Sequence, residues 1–231
     1  EEFSGKSITK NDLQESIRIY EKTRQLMKKL YQLRREKSGL IPDARISDTI
    51  IASAVMERKN YNALLEAMIR YFNEQNPPHS ESRSRVFITG SICADPDFYQ
   101  LLDELDIVIT GDDLCNGERY FERSILSDRP PLESIAERLL EQRLCPTKHH
   151  SRTDRANEII AGVQESGASA VIFYLHKFCE PHFFDYPYLK SKLDSAGIPS
   201  ILIEIEKPGY NLGQIKSRME AFSEMIENRR E

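Results

Sequence analysis

Four short runs of consecutive apolar residues constrain this chain more than any other feature. They are Val86-Phe87-Ile88, Ile107-Val108-Ile109, Val171-Ile172-Phe173 and Ile201-Leu202-Ile203. None alternates with polar residues, so a strand built from any of them is apolar on both faces. Stretches long enough for helices lie between them. Parallel neighbours need a crossover, and the crossover is normally a helix, so this pattern belongs to a parallel sheet covered on both sides. Residues 85–231 are therefore expected to form an α/β domain, an open, doubly wound parallel sheet of about four strands, Rossmann- or flavodoxin-like. The strands are expected at Arg85–Thr89, Asp106–Thr110, Ala170–Leu175 and Ser200–Ile205. Helices are expected from Asp95-Pro96 through Leu105 and over Leu132–Gln142, Thr153–Ser166, Tyr186–Ala196 and Leu212–Arg229.

Residues 1–84 read differently, as a helical connector segment. Thr9 with Asp12 three residues later resembles a capping box. Leu13, Ile17, Tyr20, Met27, Leu30 and Tyr31 then recur at helical spacing up to Ser38-Gly39. Further helices are expected over Asp48–Arg58 and Tyr61–Asn73, and Asn76–Ser82 reads as a linker. Charge changes at the same boundary. Residues 1–84 carry 15 basic and 12 acidic residues, whereas residues 85–231 carry 17 and 25.

Whole classes fall away on composition. No run of 18 apolar residues exists, so no membrane-crossing helix is expected, and no signal-peptide core opens the chain. A net charge of -5 argues against a nucleic-acid partner. Four cysteines in 231 residues, with no C-x-x-C pair, are too sparse for a disulfide scaffold and point to the cytoplasm.

In open α/β sheets, ligands bind beyond the carboxyl ends of the strands. Three of the four cysteines are expected there: Cys93 after the first strand, Cys115 after the second and Cys179 after the third. Soft thiolates gathered at a site suggest zinc or an iron–sulfur cluster. Their spacings of 22 and 64 residues match no short zinc motif. Other features carry less. Cys145 with His149-His150 reads as a surface loop more readily than as a metal site. The basic run from Lys22 to Lys37 reads as the wet face of a long helix. Asp112-Asp113 point in different directions and so do not chelate together. Gly209 and Gly213 flank a helix start without any accompanying phosphate-binding motif.

The same rim segments carry a resemblance. Asp112-Asp113-Leu114-Cys115-Asn116-Gly117-Glu118-Arg119-Tyr120-Phe121 is similar to the D-D-x-C-x-G-x-R-Y-F segment of the 2-hydroxyacyl-CoA dehydratase and benzoyl-CoA reductase family. So are Leu175–His182, containing Lys177-Phe178-Cys179-Glu180-Pro181, and Asn211-Leu212-Gly213-Gln214 with Arg218–Phe222 near the end. Gly5–Thr9 before a long helix fits the family's middle region, so the resemblance covers nearly the whole chain.

The resemblance implies a fold, a cofactor and partners. Family members are two-subunit cytoplasmic enzymes with an iron–sulfur cluster in each subunit, usually [4Fe-4S]. A separate ATP-dependent activator protein injects one electron, and in the dehydratases the acyl-CoA substrate loses its hydroxyl group through a ketyl radical anion. Three cysteines hold each cluster. Two lie in an N-terminal α/β domain that is not found in these residues, and the third corresponds to Cys179. The chain, which opens Glu1-Glu2-Phe3 without Met, thus resembles the C-terminal part of a subunit. Cys179 is the implied metal ligand, Cys115 a cofactor-pocket residue, and Cys93 is left to a structural role. The implied partners are a paralogous second subunit, the activator and an acyl-CoA. The isolated chain is expected not to hold a stable cluster. A benzoyl-CoA reductase subunit, a double-cubane-cluster reductase and a non-catalytic flavodoxin-like interaction module remain the alternatives.

Overall fold

The computed structural model describes residues 2–3, 5–77, 83–125, 129–143, 145–147, 154–209 and 211–229. Three helices come first: α1 (Lys10–Glu36), α2 (Asp43–Val55) and α3 (Arg58–Glu74). β1 (Ser84–Gly90), α4 (Pro96–Glu104), β2 (Ile107–Leu114), α5 (Glu118–Phe121), α6 (Pro131–Glu141) and α7 (Arg155–Ser166) follow. The chain continues with β3 (Ala170–His176), α8 (Glu180–Ser195), β4 (Ser200–Ile205) and α9 (Leu212–Glu227). Among the described residues no helix is long and apolar enough to cross a membrane.

The four strands form one all-parallel sheet in the order β2-β1-β3-β4. The chain leaves β1 in one direction to make β2, then returns to β1's other side for β3. The switch point therefore lies between β1 and β3, as the flavodoxin-like expectation requires. Alternate residues of each strand supply separate cores. Val86, Ile88, Ile172 and Ile203 pack under α4 and α9, against Phe98, Leu102, Met219 and Phe222. Phe87, Val171 and Phe173 pack on the other side against Ile159 and Val163 of α7 and Leu189 and Leu193 of α8. That arrangement explains why the strand runs do not alternate with polar residues.

The helical segment has its own core, with Met27, Leu30, Tyr31, Ile46, Tyr61 and Leu65 closed by Phe121 of α5. The Thr9–Asp12 capping box forms as expected, each residue's side chain accepting from the other's backbone N–H. This layer also covers the open edge of β2. Asp43 accepts the Ile109 backbone N–H at 2.9 Å and an Arg34 guanidinium hydrogen bond at 2.7 Å. Tyr31 donates its hydroxyl to Asp112 at 2.6 Å. Arg34, Asp43, Tyr31 and Asp112 are all buried.

Several boundaries differ from expectation for physical reasons. α2 begins at Asp43 rather than Asp48, because Pro42 presets the entry and Asp43 is drawn inward by Arg34. α8 begins at Glu180 rather than Tyr186. Pro181 sits in its first turn, where a missing N–H costs nothing, and Pro187 is tolerated inside the helix. β2 continues four residues past the expected Thr110, because Asp112 and Asp113 find partners on both sides. α5 is an addition to the expected elements, a single turn too short to leave a periodic signal. α7 begins at Arg155, whereas Thr153 lies outside the described residues, as do residues 78–82 of the expected linker.

Candidate functional site

The carboxyl ends of the strands converge around the β1/β3 switch point. β1 ends at Gly90, with φ of 136°, where an added Cβ would lie 2.2 Å from the Tyr174 carbonyl oxygen. Only glycine permits that approach, which lets the Ser91 N–H donate to the same carbonyl at 2.9 Å. Ser91 Oγ in turn accepts the His176 N–H at 3.3 Å, tying the two loops together.

The paired acids of β2 separate to opposite faces, as a strand demands. Asp112 turns toward α1 and also organises the turn after the strand. Its Oδ1 accepts the Leu114 N–H at 3.3 Å and the Glu118 N–H at 2.8 Å. A Cβ at Gly117 would lie 1.8 Å from that oxygen, so the glycine of the motif is a steric requirement. Asp113 turns the other way, fully buried, and accepts from Thr89 Oγ1 at 3.0 Å, Arg119 at 3.0 and 2.9 Å, and Arg155 at 2.7 Å. Burial alone would raise its pKa, but Arg119, Arg155 and Arg143 hold it well below the usual carboxylate range. Arg155 also pairs with Asp185 of α8. Asp113 is thus an anchor for arginines, and Asp112 an anchor for Tyr31, Arg34 and the turn after the strand.

Arg119 links this network to Cys115. Its Nη1 lies 3.5 Å from Cys115 Sγ, which also sits 3.6 Å from the Gly90 carbonyl and 3.7 Å from His182 Nε2. Cys115 is exposed at the rim, yet partial desolvation of its sulfur pushes the thiol up against the opposing pull of Arg119, and Cys145, Asp113 and Cys179 add to the rise. His182, one turn into α8, is buried at 3% exposure. Burial, with Arg155 and Arg119 nearby, lowers its pKa to about 4, so the imidazole is neutral near neutral pH.

Cys179 occupies the N-cap of α8 and is partly exposed on the rim. Phe178 before it is held at φ of 68°, a left-handed conformation that a bulky side chain adopts only under constraint, and its ring is 89% exposed. The sequence-level grouping of Cys93, Cys115 and Cys179 therefore needs one correction. Cys93 is buried in the core under α4, where burial pushes its thiol up to about 12, and it does not face the rim. Its backbone N–H and carbonyl are held by Asn116, at 3.2 Å each.

Cys145, read from the sequence as part of a surface loop, is partly exposed outside any helix or strand, and its charge bears on Cys115. Burial raises its pKa, but hydrogen bonding to Thr147 and the charges of Arg119 and Arg155 lower it overall. His149 and His150 lie outside the described residues. No spacing rule would have found Cys145, since the loop after α6 brings it back to the rim from a different element. Among the described residues no group of three or more His, Cys, Asp or Glu is arranged to hold a metal ion. Among the described residues, Cys115 is exposed at the rim and Cys145 and Cys179 are partly exposed, and thiols of this kind are soft donors suited to a metal cluster.

The likeness to known proteins runs through the same residues. The family model described as 2-hydroxyglutaryl-CoA dehydratase, D-component, matches residues 1–226. The chain belongs to this family. It is 29% identical over 226 residues to the (R)-phenyllactyl-CoA dehydratase beta subunit of Clostridium sporogenes, covering 98% of this chain and 60% of that protein. It is 26% identical over 234 residues to the beta subunit of (R)-2-hydroxyglutaryl-CoA dehydratase from Acidaminococcus fermentans, with the same shares covered. A benzoyl-CoA reductase subunit of Thauera aromatica is 22% identical over 233 residues, covering 98% of this chain and 59% of that protein. The chain thus spans about three fifths of the length of these relatives. In this chain, the Asp112-Asp113-Leu114-Cys115 and Lys177-Phe178-Cys179 segments build the rim.

Proposed function

We propose that this chain is the cluster-side part of one subunit of an (R)-2-hydroxyacyl-CoA dehydratase. In this reading Cys179 gives one thiolate to a [4Fe-4S] cluster whose remaining ligands lie outside these residues. The observation that carries it is the position of Cys179. It is partly exposed, at the start of a 16-residue helix, on the sheet edge where open α/β folds bind ligands. The helix's first-turn N–H groups and dipole favour negative charge placed at that end. A dehydratase is preferred to a reductase because dehydratase beta subunits match at 29, 26 and 24% identity, and the benzoyl-CoA reductase subunit at 22%.

When bound, such a cluster supplies one-electron transfer, the difficult part of removing a hydroxyl group from an acyl-CoA thioester. The chain's own residues hold and shield it. Cys179 ligates; exposed Phe178 and Phe184 flank the position with apolar surface. Cys115 stays a thiol beside neutral His182, with Arg119, anchored on Asp113, holding the Cys115 sulfur. A paralogous second subunit and an ATP-dependent activator protein complete this reading, in a cytoplasmic enzyme.

The test uses the full-length protein purified without oxygen together with its companion subunit. Cys179→Ala should lower iron and acid-labile sulfide by about one cluster, whereas Cys93→Ala should leave both unchanged. Unchanged iron in Cys179→Ala removes Cys179 from the ligand set. Reconstitution of the 231-residue chain alone to a stable cluster of about four irons would overturn the split of ligands.

A further inference from the structure

Helix α6 is built inside out. Leu132, Leu139 and Leu140 are 69, 55 and 79% exposed, and the exposed Ala136 continues the same face. Their spacing of i, i+4, i+7 and i+8 gathers them into one stripe. The face turned toward the protein is mixed: Pro131 is buried and Ile135 half-buried, but polar contacts hold it. Ser134 is buried, and Arg138 donates to the carbonyls of Arg123 at 2.9 Å and Tyr120 at 2.8 Å. Gln142, just past the helix, donates to the Arg119 carbonyl at 2.9 Å. A surface helix normally buries its apolar stripe and wets its polar one. α6 is instead anchored by hydrogen bonds and offers its leucines outward, the pattern of an interaction face.

Charge selects the occupant. Glu133, Glu137 and Glu141 repeat at i+4 along one border of the stripe. Arg129 pairs with Glu137 at 2.9 Å, while Glu133 and Glu141 have no ion-pair partner among the described residues. Two copies pairing antiparallel about a twofold axis would set this acidic ridge against itself, Glu133 facing Glu141. The complementary surface is an apolar helix face bordered by Lys or Arg. We propose that α6 is the docking helix for the companion subunit of the enzyme, whose contact helix carries that basic border. The identity of the occupant rests on the subunit reading given above; the existence of a docking face rests on α6 alone.

The experiment uses the full-length protein and its companion subunit, with affinity measured by titration and mass by light scattering. Leu139→Glu/Leu140→Glu should weaken association roughly a hundredfold, about tenfold or more per leucine. Both side chains are largely exposed in this chain, so circular dichroism and the melting temperature of the separate subunit should not change; a lowered melting temperature would mean that the rest of the same subunit covers the face, and overturns the proposal. Val55→Glu, 81% exposed on α2, should leave affinity intact. Glu133→Lys/Glu141→Lys should weaken association more at low salt than at high salt. Unchanged affinity in the leucine variant overturns the proposal, as does a wild-type pair that forms no complex. A homodimer of this chain that the same variant dissolves overturns it in favour of a second copy. Iron content is read separately: a complex lacking iron defeats the enzyme reading alone, and a loaded complex indifferent to the leucine variant defeats the docking face alone.

Discussion

Replacing Glu118 by Gln should remove a defined part of the protein's pH-dependent stability. Glu118 opens α5 beneath α1, with its side chain 21% exposed and Arg35 3.6 Å away. Burial, followed by the charge of Asp112, pushes its carboxyl from 4.5 up to about 7, despite Arg143 and Arg35. Between those values the native carboxyl keeps a proton that the unfolded chain has released. Raising the pH through this window therefore favours unfolding. The 2.5-unit interval, at about 1.36 kcal/mol per unit, corresponds to about 3 kcal/mol of stability present below pH 4.5 and lost by pH 7. Gln keeps the volume and the polar contacts but does not titrate. Urea unfolding of both proteins in steps from pH 4.5 to 7.5 gives the difference in stability, in which other titrating groups cancel. The variant should gain on the wild type by about 3 kcal/mol across that range. A difference independent of pH would refute the assignment of a raised carboxyl. A difference of opposite sign would show that the Arg35 and Arg143 attractions outweigh burial.

Two further predictions concern other buried polar groups. His182, lowered to about 4, stays neutral in the native state while the unfolded imidazole takes a proton below 6.5, so it costs about 3 kcal/mol of stability as pH falls from 6.5 to 4. His182→Gln should lose that acid-side slope in thermal melts, and parallel melting profiles would contradict it. Asp43→Ala leaves Arg34 without its 2.7 Å partner and the Ile109 N–H unpaired, and should cost about 3–5 kcal/mol in urea unfolding. Arg34→Met/Asp43→Leu should recover only part of that loss, because it removes both buried charges together but leaves the Ile109 N–H without an acceptor and Asp112 without the cation 3.5 Å away.

The sheet was legible because its strands are unusually explicit. Four uninterrupted apolar runs with helices between them leave few alternatives to a parallel sheet, and the ends of those runs locate the rim. The acids at 112 and 113 hid the end of β2, since buried carboxylates look like a loop until Arg119, Arg155 and Tyr31 are seen around them. Pro181 and Pro187 hid the first turns of α8 in the same way. Within the rim, spacing placed Cys115 and Cys179 on the right edge. It could not distinguish the inward turn of Cys93, which depends on Asn116 clasping its backbone from another loop. Cys145 was invisible as a neighbour because its approach depends on how α6 lies, held by carbonyl contacts that leave no pattern in the sequence. The docking stripe on α6 has the opposite character. Its periodicity is plain, but only the fold shows that the leucines face outward.

The two edges of the sheet are unequal. Along β2, Asp43 occupies the outward N–H of Ile109 and the helical layer covers the strand, so no further strand can pair there without dislodging a buried ion network. Along β4 the barrier is slighter: Arg218 of α9 holds the Leu202 carbonyl at 2.6 Å, through a side chain anchored at the surface. The sheet therefore has a direction of growth. Any additional strand, from the same polypeptide or another, would extend it outward from β4, away from the helices that lock β2.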